Sequence, residues 1–268
     1  MNIALLLTIF TAALVASLFG LGGGVLYTPF QLWLGIPLKQ AAATSLFLVL
    51  VTSLSSTITF RHSHRVDWSL ALILEIPTTL GAFVGGFISN WFPAKVLGGL
   101  LVALLFLAAG LMIRPPEKPF SSCVRTDYKG RSLWLWRREW EGESLWLDLR
   151  RVFAIMFVAG MLISMVGISG GVLKIPLMVL LMQVPMSVAV GSSAFMVGLT
   201  ALAGLLGHAT AGHVAWHTVF VLAVPVFLGA QLGSRASIRL GTHRLKHYYG
   251  WFLTLVAVIT LLRILNLR

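Results

Sequence analysis

A ten-residue segment occurs twice in this chain, and each copy breaks a long apolar run. Gly20-Leu21-Gly22-Gly23-Gly24-Val25-Leu26-Tyr27-Thr28-Pro29 returns as Gly167-Ile168-Ser169-Gly170-Gly171-Val172-Leu173-Lys174-Ile175-Pro176, 147 positions later (167 − 20). Clustered glycines interrupt a helix because they lose the most backbone entropy on ordering. In hydrocarbon, an interrupted helix survives only where protein or a watery cavity satisfies the freed N–H and C=O groups. A pair of Gly/Pro-interrupted apolar segments in matching halves points to the binding site of a transporter.

Composition supports a membrane setting. The chain is 58% hydrophobic and 10% charged, with a mean hydropathy of +0.92, outside the range of ordinary soluble domains. Several apolar runs approach the roughly 20 residues needed to span a bilayer. The single cysteine, Cys123, excludes an intramolecular disulfide framework and any cysteine-pair metal site. The net charge of +12 comes from basic residues spread over loops and helix ends. That distribution fits membrane orientation rather than nucleic-acid binding. Asn2–Phe19 is apolar but lacks a preceding basic region, and its counterpart lies mid-chain, so it is expected to belong to the mature protein rather than to a signal peptide.

The repeat continues beyond the glycines. At an offset of 148, Ile36-Pro37-Leu38 matches Val184-Pro185-Met186, Thr44-Ser45 matches Ser192-Ser193, and Val66-Asp67-Trp68 matches Val214-Ala215-Trp216. Pro77 matches Pro225, Gly81-Ala82 matches Gly229-Ala230, and Gly85 matches Gly233. The expected organisation is a first transmembrane repeat at 1–113, a Trp/Arg-rich linker at 114–150 and a second repeat at 151–268. Each repeat reads as a glycine-broken helix or re-entrant hairpin followed by three transmembrane helices, so the fold class is all-α integral membrane. The apolar pieces are Asn2–Leu34, Ala41–Phe60, Ser69–Asn90 and Ala94–Ile113, then Val152–Met182, Ser187–Gly207, Ala215–Ser234 and Tyr248–Leu265.

Charge predicts the relative orientation of the repeats. The loop Arg61-His62-Ser63-His64-Arg65 has two arginines, whereas its counterpart His208–His213 has no Lys or Arg. The next loop reverses the bias, with Lys95 alone in Asn90–Lys95 against Arg235, Arg239, Arg244 and Lys246 in Arg235–Lys246. Repeats of equal orientation would share one bias under the positive-inside rule. Opposite biases predict inverted repeats, with the Arg61 loop, the linker and Arg235–Lys246 on the cytoplasmic side.

The glycine breaks are the first candidates for chemistry. Half-helices that start at Gly20, Gly22, Gly23 and Gly24, and at Gly167, Ser169, Gly170 and Gly171, would present backbone N–H groups at positive helix ends, suited to an anion. Packing of small residues between helices is the alternative use of such glycines. Lys174 stands in an apolar run where the first copy has Tyr27, and it serves either as an anion ligand or as a snorkelling cation. Glu75 is the one carboxylate deep in an expected span. It is a proton-coupling candidate, the alternatives being a hydrogen bond at the Pro77 kink or a position nearer the interface. Thr44, Ser45, Ser192, Ser193 and Gln31 could donate to anion oxygens or join helices together. His208 and His213 are spaced as interface residues, and no metal site is expected.

The linker holds Trp134-Leu135-Trp136-Arg137-Arg138-Glu139-Trp140 and Trp146. Aromatics interleaved with arginine resemble an interfacial amphipathic segment, or a linker whose charges hold topology. No close carboxylate pair, nucleophile triad or phosphate-cradling loop is recognisable, so neither an enzyme nor a cofactor is expected. Two rival functions remain: a membrane scaffold or biogenesis factor docking a partner through 121–150, and an anion channel.

Gly20–Gly24 with Pro29, Gly167–Gly171 with Pro176, and the following Pro37/Thr44-Ser45 and Pro185/Ser192-Ser193 blocks resemble the sulfite exporter TauE/SafE family. The resemblance covers the chain apart from the 114–150 insert. It implies a multi-pass protein of the bacterial inner membrane that moves small anions such as sulfite or organosulfonates, with the lipid bilayer as its surroundings. Ser169 departs from the first copy, which has Gly22.

Overall fold

The structure, a computed structural model, describes residues 3–33, 36, 38–88, 91, 93–113, 124–125, 134–140, 143–166, 170–210 and 216–266. Their elements run α1 (Ile3–Leu18), α2 (Gly24–Trp33), α3 (Leu38–His62), α4 (Trp68–Ile88), α5 (Ala94–Ile113), β1 (Val124–Arg125), β2 (Leu135–Trp140), β3 (Glu143–Asp148), α6 (Leu149–Val166), α7 (Gly171–Leu181), α8 (Met186–Thr210), α9 (Trp216–Leu240) and α10 (Thr242–Asn266). Among the described residues, α3, α4, α8 and α9 carry stretches long and apolar enough to cross a bilayer, at Ala43–His62, Trp68–Gly85, Met186–Leu206 and Val219–Leu240. The membrane part of the protein is all-α.

The chain forms two compact units, Met1–Ala71 with Val190–Gly241 and Leu72–Ala189 with Thr242–Arg268. Each unit draws on chain from both sides of the linker.

In the first unit, α1 stops at the glycines for a definable reason. Gly20 takes a left-handed φ of +66°, its N–H reaches Ser17 O at 3.2 Å, and the N–H of Leu21 reaches Ala16 O at 2.9 Å. These are the two bonds of a Schellman cap, which satisfies carbonyls a helix end otherwise leaves orphaned. Helix α2 then begins at Gly24 and packs against α3 and α1. Lipid tails supply little hydrophobic drive for helix pairing, so close approach of backbones has to do the packing. A β-carbon at Gly229 or Gly233 of α9 would overlap the carbonyl oxygen of Phe10 or Leu14 on α1. Both helices advance four residues between these contacts, so α1 and α9 run in the same direction.

Helices α3 and α9 are joined by polar contacts. Ser55 Oγ donates to Phe227 O at 3.1 Å, and Thr59 Oγ1 to Gln231 Oε1 at 3.0 Å. At the end of α9 the Arg65 guanidinium donates to the carbonyls of Ser237 (3.3 Å) and Ile238 (2.9 Å). That contact caps the last turn of α9 from the middle of the α3–α4 connection. Asp67 then opens α4, with its Oδ1 accepting the Leu70 N–H at 3.0 Å.

The second unit repeats the glycine contact with other partners. A β-carbon at Gly81 or Gly85 of α4 would overlap the carbonyl oxygen of Phe157 or Met161 on α6. Here too the partners advance together. Helices α5 and α10 pack side by side, with Gly250 against Ala109 and Ile113.

Two sequence expectations need correction. Arg235–Lys246 is helical rather than a loop: α9 continues to Leu240, Gly241 turns with φ +72°, and α10 begins at Thr242. Arginine propagates a helix well, and Arg239 in the last turn complements the negative end of the helix dipole. The described part of the linker is a three-stranded antiparallel sheet in the order β1-β3-β2, where no strand was expected. Trp140 pairs with Glu143 and Leu135 with Asp148. Arg138 stacks 3.9 Å from the centre of the Trp136 ring. Strand β3 runs straight into α6, whose first turn Asp148 caps by accepting the Arg150 N–H at 3.2 Å.

Candidate functional site

The residues singled out in the sequence fall into two polar clusters, one within each unit. In the first unit, Gly20 and Gly22–Gly23 form the turn between α1 and α2, and Gly24 is the first residue of α2. The Tyr27 side chain is fully buried on α2, and its hydroxyl meets Thr52 Oγ1 at 2.6 Å. Thr52 gives its own proton to Leu48 O at 2.8 Å, so Tyr27 is the donor. One turn on, Gln31 Nε2 donates to Ser45 Oγ at 2.9 Å and to Tyr27 O at 3.2 Å. Its Oε1 is buried with no hydrogen-bond partner, as are Ser53 Oγ and Ser56 Oγ on α3. Ser237 Oγ on α9 is a fourth such atom in this unit. Buried polar atoms are nearly always satisfied, so these are the groups there with hydrogen-bonding capacity to spare.

The other hydroxyls fix backbone. Ser193 Oγ donates to Gly20 O at 3.2 Å, and Ser192 Oγ accepts the Asp67 N–H at 3.0 Å. Both are on α8, so α8 holds the glycine turn and the start of α4 in place. Thr44 is buried in the second turn of α3.

In the second unit the two charged residues meet. Lys174 Nζ donates to Glu75 Oε2 at 2.7 Å, and both side chains are almost wholly buried, at 1% and 6% exposure. Lys174 therefore does not snorkel. The pair joins α7 to α4, 99 residues apart in sequence. Pro77 follows two residues later, and Thr78 Oγ1 donates to Leu74 O at 2.6 Å. Gly171 begins α7, and Gly170 precedes it with ordinary helical angles (φ −54°, ψ −29°). The lysine side chain folds back over Gly170: a β-carbon there would lie 3.0 Å from Lys174 Cε and 3.2 Å from Nζ. The Tyr249 hydroxyl reaches Val172 O (2.9 Å) and Gly171 O (3.3 Å), tying α10 to the first turn of α7. Gly167 and Ser169 lie outside the described residues, as does His213.

The sequence matches the sulfite exporter TauE/SafE family over residues 5–260. The chain belongs to that family. Among its relatives, the probable membrane transporter protein YunE of Bacillus subtilis (strain 168) is 31% identical over 246 residues, covering 86% of each chain. The probable membrane transporter protein MJ0441 of Methanocaldococcus jannaschii is 24% identical over 255 residues, covering 88% of this chain and 86% of its own. Sulfite exporter TauE/SafE family protein 6 of Arabidopsis thaliana is 38% identical over 99 residues, which is 36% of this chain and 23% of the plant protein. No solved structure matches significantly. As a TauE/SafE protein with helices able to span a bilayer, the chain is a multi-pass membrane transporter.

Several residues around the TauE/SafE glycine breaks escaped the sequence reading. Thr52, Ser53 and Ser56 belong to the hydroxyl run Thr52-Ser53-Leu54-Ser55-Ser56-Thr57, inside a span otherwise rich in leucine and valine. Thr52, Ser55 and Thr59 recur at helical spacing, which was a readable signal of a polar face. Tyr249 gave no such signal.

Proposed function

We propose that this protein is a secondary transporter of the bacterial inner membrane that exports a small sulfur-containing anion, sulfite or an organosulfonate, by alternating access between two inverted repeats. The buried Lys174–Glu75 pair beside the second glycine break carries this reading. The plant relative is named as a member of a sulfite exporter family, and that name supplies the substrate class.

Inverted topology is supported by helix directions. Arg65, just before α4, meets the last turn of α9, its repeat counterpart, so one begins where the other ends. Helix α1 runs with α9, and α6 runs with α4, as inverted copies require. The Arg61–Arg65 segment and the arginines of α9 then share one membrane face, in keeping with the positive-inside rule.

Each cluster has its own chemistry. The glycine turn, Tyr27, Gln31, Ser45 and the unpaired Ser53 hydroxyl give a neutral, hydrogen-bonding environment suited to sulfur-bound oxygens. Backbone N–H groups at the starts of α2 and α7 favour negative charge. Within the second unit, Lys174 supplies a fixed cation, which Glu75 holds in check. A proton arriving on Glu75 Oε2 neutralises the carboxyl and breaks the ion pair, leaving Lys174 Nζ to take an anion oxygen. Proton and anion then bind together, and their combined gradients set the direction of net flux.

Efflux from proteoliposomes loaded with sulfite, taurine or sulfoacetate tests this. Saturable efflux of one anion is expected in wild type, with a loss of tenfold or more in Lys174→Gln. Glu75→Gln is expected to transport without responding to an imposed pH gradient. Full efflux by folded Lys174→Gln would remove Lys174 from the site.

A further inference from the structure

We propose that the first unit binds an anionic phospholipid where α3 and α9 end. A cavity of about 460 Å³ there is lined by Thr59, His62, Ser63, Gln231, Arg235 and Arg239, with Ile58 and Ile238 beside them. A second cavity of about 550 Å³ is lined by Phe10, Phe227, Leu228 and Leu232. Gln231 and Arg235 line both, so a basic, hydrogen-bonding end continues into an apolar groove. The groove lies along Val219–Leu240, the apolar stretch of α9 able to span a bilayer, and the arginines occupy its polar end. One surface thus offers cations and hydroxyls at headgroup depth and an apolar channel at acyl-chain depth. Those are the two halves of a phospholipid.

Charge complementarity selects the headgroup. Residues 1–71 and 190–241 contain five Lys/Arg (Lys39, Arg61, Arg65, Arg235, Arg239) against a single carboxylate, Asp67. Asp67 Oδ1 caps α4, and Arg65 caps α9. Arg235 and Arg239 make no ion pair among the described residues. Two exposed guanidinium groups on one helix face, beside hydroxyls and an amide, suit a phosphodiester oxygen pair. A zwitterionic lipid would bring its own cation against them.

Native mass spectrometry of the detergent-purified protein, titrated with phosphatidylglycerol and phosphatidylcholine of identical chains, tests the proposal. Preferential retention of phosphatidylglycerol is expected. Arg235→Gln/Arg239→Gln is expected to weaken it about 25-fold, or roughly fivefold per arginine, the equivalent of about 1 kcal/mol each. Arg235→Lys/Arg239→Lys should recover most of it, and Arg137→Gln/Arg151→Gln in and beside the sheet should change nothing. Undiminished phosphatidylglycerol binding by the glutamine variant would overturn the proposal, as would equal binding of phosphatidylcholine. Displacement by chain-free glycerophosphoglycerol or inorganic phosphate at matching concentration would also overturn it, by assigning the pocket to soluble anions.

Discussion

The two glycine breaks share a sequence pattern and differ in how they keep polar groups inside the membrane. At the first, a neutral network does so: Tyr27 to Thr52, Gln31 to Ser45, and Ser193 to the backbone of Gly20. At the second, an ion pair does so, Lys174 on Glu75. Tyr27 is the repeat counterpart of Lys174 (174 − 27 = 147), and Ala223 is the counterpart of Glu75 (223 − 75 = 148). Each copy thus supplies one member of the pair; both members lie in the second unit, and both of their counterparts lie in the first. The physical reason is that removing one partner leaves an uncompensated buried charge, whereas a neutral pair in its place is tolerated. Charge at such a site has to be gained or lost two residues at a time.

Grafting the charge into the first unit breaks the comparison hardest. Tyr27→Lys places an ammonium in a core shared with Leu222 and Val226, the neighbours of Ala223 on α9. The expected cost is about 3–5 kcal/mol, enough to remove the folded peak in fluorescence-detected size exclusion. Adding Ala223→Glu is expected to restore part of that peak. A Tyr27→Lys single variant as stable as wild type would show that the two units do not differ in their tolerance of charge.

Taking the charge out of the second unit is the reciprocal step. Glu75→Met leaves Lys174 unpaired and is expected to lose about 3–5 kcal/mol, read as a fall in the detergent melting temperature. Lys174→Met/Glu75→Met is expected to return to within about 1 kcal/mol of wild type and to lose saturable anion efflux. A double variant as unstable as the single would mean that the pair is needed for folding in its own right.

The contrast also shows what the sequence could and could not disclose. The duplication, the breaks and the two odd charges were legible because glycine clusters and ionisable residues are expensive in apolar runs. The union of Lys174 with Glu75 was not, since hydropathy reports depth and says nothing about which helices meet across 99 positions. The left-handed turn at Gly20 was foreseeable from its type, whereas Gly170 takes ordinary helical angles despite the matching pattern. The sheet was missed because Trp and Arg were weighed as interfacial residues. Only Glu141 and Gly142 separate the paired Trp140 and Glu143, a hairpin spacing that would have identified β2 and β3. Hydropathy alone places Arg235–Lys246 in a loop, because charge ends the apolar run before α9 ends and continues into the start of α10.

The glycines themselves allow a finer comparison. Gly20→Ala must hold a side chain at φ +66° and overlap the carbonyl of Val190. The left-handed conformation alone costs an L-residue about 1–2 kcal/mol, and a drop in melting temperature of that size or more is expected. Gly170→Ala needs no unusual backbone, and its β-carbon meets the flexible end of Lys174, so a change below about 0.5 kcal/mol is expected. Its readout is the apparent affinity of anion efflux, because the lysine has to shift. Equal destabilisation by both alanines would erase the structural difference between the breaks.

The smallest effect reads the comparison at one aligned position. Tyr27→Phe removes the hydroxyl that donates to Thr52, while Thr52 keeps its own bond to Leu48 O. No buried donor is stranded, and the vacated acceptor on Thr52 is a lone pair that tolerates loss better than a proton does. The cost should therefore sit at the lower end for a neutral hydrogen bond, about 0.5–1 kcal/mol. Lys174→Met, at the matching position, leaves the Glu75 carboxylate in apolar surroundings and should cost several times more. Melting temperatures of Tyr27→Phe and Lys174→Met taken side by side check this. Equal losses would mean that the buried charge at the second break costs no more to strand than a neutral hydroxyl costs to remove, and the contrast between the two breaks would fail at its aligned position.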